Sequence, residues 1–169
     1  MADRLAQLLG ALSLSASDRV RTSVDTSLGR AGAHAAVLVH LDAYPGASVQ
    51  ALADVLRVSQ PAAVKLINRL AADGLLERRQ GPDQRTRALH LTARGRSAAA
   101  RVLEDRAAQL DPLLEVLDSG ERERLEPLLE KLVAALAGDR PDALTVCRLC
   151  DRTSCCGAPT GCPLQHTTA

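Results

Sequence analysis

The sequence contains almost no aromatic residues. Among its 169 residues there is no phenylalanine and no tryptophan, and Tyr44 is the single tyrosine. Stacked rings therefore cannot build the core, and aliphatic side chains must fill the interior. Lysine is nearly absent too, with only Lys65 and Lys131, while alanine, leucine and arginine dominate. These three residues have high helix propensities, so we expect a mainly α fold.

Long apolar segments and cysteines are missing from most of the chain. No stretch is apolar for long enough to span a membrane, and Met1 to Arg4 do not begin a basic region followed by an apolar run. We therefore expect a cytoplasmic protein without a secretory signal or membrane contact. No cysteine precedes Cys147, and all five lie between Cys147 and Cys162. In a reducing compartment such a cluster is expected to bind metal rather than form disulfides.

The charges are unevenly distributed, although the net charge is only +1. Residues 57–101 are strongly basic, whereas acidic residues outnumber basic ones in residues 102–139. A chain polarised in this way is expected to meet a polyanion on one side only. The length allows one domain, or one domain with a small appendage.

Apolar periodicity predicts a helical chain with one small sheet. Turn-forming residues at 81–84 separate two short segments with strand character. The helices repeat their apolar residues at intervals of three and four. The expected elements are helices at 5–28, 33–43, 49–56, from Ser59 to Asp73, 93–117 and 119–136, and strands at 75–79 and 87–91.

Two of these helices, separated by a short turn, form a helix-turn-helix. Ser48 is expected to cap the first helix and Ser59 the second, as Thr92 is for the long helix after the strands. The outward face and N-terminus of the second helix carry short polar or basic side chains. Such side chains suit base edges and phosphates in a major groove. They are Gln60, Pro61, Lys65, Asn68 and Arg69.

An arginine-rich hairpin follows the helix-turn-helix. Arg85 near its tip is expected to enter a minor groove with Asp83 orienting it, while Arg78, Arg79 and Arg87 are expected to meet phosphates. Each of these charges could instead be an ordinary solvated residue. The order of helix, turn, capped helix and basic hairpin favours DNA binding, and it predicts a winged helix-turn-helix.

Three segments resemble the multiple-antibiotic-resistance regulator (MarR) family. They are 58–63 (Val-Ser-Gln-Pro-Ala-Ala), 73–79 (Asp-Gly-Leu-Leu-Glu-Arg-Arg) and 83–85 (Asp-Gln-Arg), followed by Leu-Thr-Ala-Arg-Gly at 91–95. The resemblance implies a homodimer that binds a pseudo-palindromic DNA site, most often as a repressor. It also implies that Ser59 faces the groove together with Gln60, Pro61, Lys65 and Arg69, and that Asp83 braces Arg85 at the wing tip.

The resemblance also divides the chain. Long N- and C-terminal helices, 1–32 and 93–140, would form the dimerisation domain, and 33–92 would form the winged helix-turn-helix. Residues 141–169 would form a cysteine-rich tail. Many family members bind small aromatic acids between the two domains, where His34, His40 and Tyr44 of this chain could contact a ligand. We favour ordinary helix residues over ligand contacts for both histidines, so an aromatic small-molecule effector is the less favoured expectation.

The tail, which follows an expected linker at 138–141, carries a candidate ligand set. Cys147, Cys150, Cys155 and Cys162 are spaced for four-thiolate ligation, and some regulators of the same family carry a similar extension. Cys156 is the expected spare, and His166 is a weaker alternative ligand. Three interpretations stay open: an iron–sulfur cluster that senses redox state or oxidants, a structural zinc beside a small-molecule effector, and direct thiol oxidation.

We favour the cluster, because a regulator with so few aromatic residues still needs an input. An occupied tail would pack at the base of the dimerisation helices and fix the spacing of the DNA-binding domains. A thiol–disulfide oxidoreductase is the less favoured class, since the Cys-x2-Cys pair lacks the strand–helix setting of such enzymes. No catalytic arrangement of other residues is present in the sequence, and the protein is not expected to be an enzyme.

Overall fold

A computed structural model describes residues 3–29, 32–80, 87–158 and 160–168. The fold is mainly α with a single two-stranded antiparallel sheet, as the sequence predicts. None of the described helices is long and apolar enough to cross a membrane. The elements are α1 (Arg4–Leu28), α2 (Ala33–Ala43), α3 (Val49–Leu56), α4 (Gln60–Ala72), β1 (Leu76–Gln80), β2 (Arg87–Leu91), α5 (Ala93–Leu114), α6 (Ser119–Ala134), α7 (Arg140–Val146), α8 (Arg152–Cys156) and a short 3-10 helix (Gln165–Thr168).

The predicted helix starts are largely confirmed because local side chains cap them. The Ser48 hydroxyl accepts a hydrogen bond from the Ala51 amide at 3.1 Å. The Thr92 hydroxyl accepts one from the Gly95 amide at 3.0 Å. Ser59 occupies the N-cap position of α4, but its side chain makes no capping bond. Capping side chains satisfy amides that have no partner inside the helix, so they set where a helix begins.

Two helix ends and the tail differ from the prediction. The helix expected to reach residue 117 ends at Leu114, because Asp118 leaves the helix to form a capping box with Glu121. α6 ends at Ala134 rather than 136, and Ala137 turns inward to pack in a small apolar cluster. The expected linker at 138–141 is the start of α7, which Asp139 caps. The tail, for which no helix or strand is predicted, contains α7, α8 and the short 3-10 helix.

The main core lies between α2, the helix-turn-helix and the first half of α5. Its fully buried members include Leu38, Leu41, Leu52, Ile67 and Leu89. All are aliphatic, as the lack of aromatic residues requires. α2 is buried on almost every side, so it is the central element of the fold.

β2 is hydrogen-bonded on both of its edges. β1 and β2 pair in the register Leu76 with Leu91 and Gln80 with Arg87. On its other side, β2 exchanges backbone hydrogen bonds with the turn after α2, from the Gly46 amide to the Leu89 carbonyl at 2.8 Å and from the Leu89 amide to the Ala47 carbonyl at 3.2 Å. The base of the wing is therefore fixed to the rest of the domain.

The first and sixth helices leave apolar surface uncovered. Leu5 and Leu14 of α1 are each 70% exposed, and Leu128 of α6 is 56% exposed. Every residue of α6 remains at least partly exposed. Apolar rows of this size on two helices indicate surfaces that pack against another chain.

Candidate DNA-binding surface and cysteine site

α4, the second helix of the helix-turn-helix and the expected recognition helix, presents the polar face that the sequence predicts. Ala63, Ile67 and Leu70 of α4 are buried in the core. The opposite side is exposed, and it carries Ser59, Gln60, Pro61, Lys65, Asn68 and Arg69. These side chains are therefore available to a partner molecule.

Two of the predicted phosphate contacts have partners within the chain. The Arg78 guanidinium donates a hydrogen bond to the Asn68 side-chain oxygen at 2.6 Å, which ties β1 to the recognition helix. Arg79 donates to one Glu77 carboxylate oxygen at 2.8 and 2.6 Å. Glu77 therefore offsets part of the Arg79 charge. This pairing is not predicted from the sequence. Arg87 is exposed at the start of β2. Asp83 and Arg85 lie outside the described residues.

The end of the recognition helix is locked to the start of α5. The Thr92 hydroxyl donates to the Gly74 carbonyl at 2.7 Å, and Arg94 donates to the Asp73 carbonyl at 3.2 Å. Gly74 has a φ of 69°, in the left-handed region that favours glycine. A Cβ atom on Gly95 would lie 1.9 Å from the Leu75 carbonyl oxygen, so only glycine allows this close approach. The Asp-Gly and Thr-Ala-Arg-Gly segments thus orient α4 against α5.

The tail packs against the body of the protein. Leu149, between two of the cysteines, contacts the apolar cluster of Val24, Ala35, Val39 and Val102. Val146, Cys147 and Cys162 contact a second cluster formed by Ala137, Ala143 and Leu164. The Thr160 hydroxyl donates to the Glu130 carboxylate of α6 at 2.6 Å. The tail therefore reaches α2, α5 and α6, rather than only the base of the dimerisation helices.

Two further tail contacts involve the helix-turn-helix. Arg57, in the turn between α3 and α4, forms an ion pair with Asp142 of α7. Arg152, the first residue of α8, donates to the Tyr44 hydroxyl and lies over the Tyr44 ring, 4.9 Å from its centroid. None of these four residues is predictable from the sequence as a tail contact, because pairs of exposed residues that lie far apart in the chain leave no periodic pattern.

Neighbouring thiols of the tail shift one another's pKa values. Interaction with the Cys150 side chain lowers the Cys147 pKa, and the same interaction raises the Cys150 pKa well above its usual range. Burial raises the pKa of Cys155 to about 12, helped by the neighbouring Cys150. Burial also raises the pKa of Cys156. Cys147 is therefore the first of these four thiols to ionise, and the others carry protons at neutral pH.

The four predicted ligands share one cavity. A space of about 610 Å³ between α5, α6 and the tail is lined by Cys147, Cys150, Cys155 and Cys162, but not by Cys156. Leucines and valines form much of the opposite wall, and Arg106 lies beside the thiols.

The four thiols are chemically suited to bind a metal ion or a cluster, but they are not arranged around a common centre. Among the described residues, no three histidine, cysteine or acidic side chains are arranged to hold a metal ion. The Cys150 thiol donates to the Asp151 carbonyl at 3.6 Å, and Cys147, Cys150 and Cys155 shift one another's pKa values, which shows that they are neighbours. A thiol turned to a backbone carbonyl does not point at a common centre. Ligation would deprotonate them and turn them inward.

The weaker candidates are placed elsewhere. The two ring nitrogens of His166 face the carbonyls of Pro163 and Ala137, each at 3.2 Å, rather than a thiol. His40 is buried beside Tyr44, and burial together with the Arg152 guanidinium lowers its pKa. Since Arg152 covers Tyr44, the single aromatic side chain packs against the tail.

Comparison with known proteins identifies relatives of the helical body. Residues 28–86 match the model of the MarR family. YusO of Bacillus subtilis is 27% identical, over 80% of this chain and 99% of that one, with a TM-score of 0.67. A MarR family protein of Mycobacterium tuberculosis is 26% identical, over 78% and 96% of the two chains, with a TM-score of 0.60. A second structure of that protein is a complex with salicylic acid.

A protein of lower sequence identity shares the fold. MarR of Escherichia coli is 22% identical, over 78% of this chain and 98% of that one, with a TM-score of 0.63. No match was found among curated proteins. These relatives are covered almost completely, whereas about a fifth of this chain has no counterpart in any of the three.

Proposed function

We propose that this chain, a MarR-family transcriptional regulator with a winged helix-turn-helix domain, binds double-stranded DNA as a homodimer and responds to a cofactor held by its tail. The observation that carries the first part is the exposed polar face of α4, held in place by α5 and flanked by the strand pair. A helix presented in this way fits the major groove, while phosphate contacts from the strands set its register.

Dimerisation is supported by the uncovered apolar rows on α1 and α6. A palindromic site needs two recognition helices at a fixed separation, which a two-fold dimer supplies. Four leucines on α1, Leu5, Leu8, Leu9 and Leu12, are each roughly half exposed or more. Their burial against a second copy is expected to stabilise the pair, by about 1.5–3 kcal/mol for each fully covered side chain.

The DNA-binding part can be tested through the salt dependence of binding. We expect Arg69→Ala to weaken binding to a duplex that the wild-type protein has selected from a randomised pool. The slope of log affinity against log salt should also fall by about 0.9, the contribution of one neutralised phosphate. Arg124→Ala is the control, because Arg124 is exposed on α6 and belongs to neither the helix-turn-helix nor the strand pair. Equal slopes for both variants would show that α4 does not meet the phosphates.

For the tail, we propose that Cys147, Cys150, Cys155 and Cys162 hold an iron–sulfur cluster. Their shared cavity and their contacts with one another support this set, and the position of Cys156 outside the cavity supports its exclusion. When bound, such a cluster supplies a redox-active centre that takes four thiolates. The chain itself releases the thiol protons on ligation, and Arg106 beside Cys150 offsets part of the resulting negative charge.

Zinc is the alternative occupant, since it also takes four thiolates and would be redox-silent. Iron, sulfide and zinc should be measured on protein purified without oxygen, together with its visible absorption. Iron and sulfide in a coloured protein would support the cluster. A colourless protein with one zinc per chain would replace the sensor with a structural site and would direct attention to a small-molecule effector, such as the salicylic acid bound by the mycobacterial relative.

A further inference from the structure

The tail contacts the chain before and after α3, at the end of α2 and at the turn that leads to α4. Tyr44, which caps the end of α2 and precedes α3, contacts Arg152. Arg57, the first residue after α3, contacts Asp142. α3 therefore lies between two contacts with the same short segment of chain.

The contact at Arg57 lies in the turn between α3 and α4. Arg57 is the one described non-glycine residue with a positive φ, at 52°, and this left-handed conformation is rare for a side chain of its size. It lets the chain leave α3 and enter α4 within three residues. Its side chain is 64% exposed and that of Asp142 is 39% exposed, so this ion pair alone is weak. The pair acts together with the packing of α7 against α3.

The contact at Tyr44 lies where the wing is anchored. The Tyr44 ring is held between His40, at a centroid distance of 4.8 Å, and the Arg152 guanidinium. The residues that follow, Gly46 and Ala47, hydrogen-bond to Leu89 of β2. A shift of Tyr44 would therefore act on the wing as well as on α3.

Both contacts come from helices that adjoin or carry the cysteines. Asp142 lies in α7, and Cys147 is the C-cap of that helix. Arg152 begins α8, which carries Cys155. Leu149 between the two helices is anchored in the apolar cluster with Val24 and Val39. Ligation of the thiols by a common centre would therefore hold α7 and α8 in place, and their two charged side chains with them.

We propose that Asp142 and Arg152 form an intramolecular clamp on α3 that transmits the state of the cysteine site to the recognition helix of the same protomer. The transmission to DNA rests on the function proposed above, whereas the clamp itself does not. With both contacts made, α3 and the turn to α4 are held in the orientation that binds DNA. Without them, α3 is released and the paired recognition helices lose their spacing.

The clamp is tested with the full-length double variant Asp142→Asn/Arg152→Gln. The matched control is Asp18→Asn/Arg21→Gln, which removes an exposed ion pair of α1 with the same composition and the same change in charge. We expect hydrogen exchange at the amides of 49–58 to be about tenfold faster in the double variant and unchanged in the control, as modest coupling requires. A conservative variant, Asp142→Glu/Arg152→Lys, should keep the slow exchange of the wild type.

A second measurement addresses transmission. The affinity of the double variant for the selected duplex should fall about tenfold, and the control should bind like the wild type. Exchange in the double variant that matches the control would overturn the clamp, and unchanged DNA affinity would overturn its role in transmission. Absence of iron, sulfide and zinc, or of DNA binding by the wild type, would instead overturn the proposed function. The exchange result would still decide the clamp, because it needs neither DNA nor cofactor.

Discussion

At the scale of single residues, the two adjacent cysteines show how position separates identical side chains. Cys155 lies on the cavity shared by three other thiols, and Cys156, the next residue, does not. Successive residues of a helix point about 100° apart, so both thiols cannot face the same space. The Cys155 pKa is raised to about 12 by burial and by Cys150, which places this thiol inside the cluster of sulfur atoms.

Replacing each of these cysteines with serine should therefore have different effects. We expect Cys155→Ser to bind its iron or zinc at least roughly tenfold more weakly, since even outer-shell partners of a ligand matter this much. Cys156→Ser should keep the wild-type metal content. The measurement is metal and sulfide per chain after identical oxygen-free purification. Equal loss in both variants would mean that the ligand set is different from the one proposed.

At the scale of elements, the outer helices are incomplete in a single chain. Leu12 of α1 is 53% exposed and Leu132 of α6 is 49% exposed, although both belong to regular apolar rows. α2, by contrast, is almost fully buried within one chain. This contrast separates the elements that fold the domain from those that we propose join two copies of it.

A charged pair on α1 should therefore disrupt assembly without unfolding the domain. We expect Leu8→Glu/Leu12→Glu to sediment as a monomer at concentrations where the wild-type protein is a dimer, because carboxylates cannot be buried there without partners. Its helical content should be unchanged. The control is Val64→Glu, which alters an exposed apolar residue of α4 and should leave the dimer intact. A dimeric Leu8→Glu/Leu12→Glu variant would place the interface elsewhere.

The elements also show which parts of the fold follow from sequence alone. The starts of α3 and α5 are predictable because Ser48 and Thr92 cap them through bonds to residues three positions away. The end of α5 is not, because Asp118 and Glu121 form a capping box that competes with the extension of the helix. α7 and α8 are too short for an apolar period. Asp139 and Asp151 cap the starts of these two helices, but this role is recognised only once the fold is known.

At the scale of the whole molecule, the site is only partly predictable. The exposed face of α4 follows from helical periodicity, and Ala63 and Ile67 are buried as expected. The ion pair between Arg57 and Asp142 joins residues 85 positions apart, and a single sequence holds no signal for such a pair. The sequence thus predicts two functional regions, and the way in which they touch requires the fold.

The molecule therefore combines a winged helix-turn-helix domain with a cysteine-bearing tail that packs against it. Leu149 and the two charged contacts place the cysteines next to α2 and α3 rather than on a detached extension. Under the proposed clamp, a change at the cysteines would act on the turn that precedes the recognition helix. Coupling of about 1–3 kcal/mol would be enough to change DNA affinity by tenfold or more.

The most direct test is the DNA affinity of one oxygen-free preparation before and after its cofactor is removed by oxygen and a chelator. The duplex is the one that the wild-type protein selects, and the treated Cys155→Ser variant is the control for damage unrelated to the site. We expect affinity to fall about tenfold or more in the wild-type protein and to stay constant in the variant. Identical affinity of the wild-type protein in both states would contradict the account.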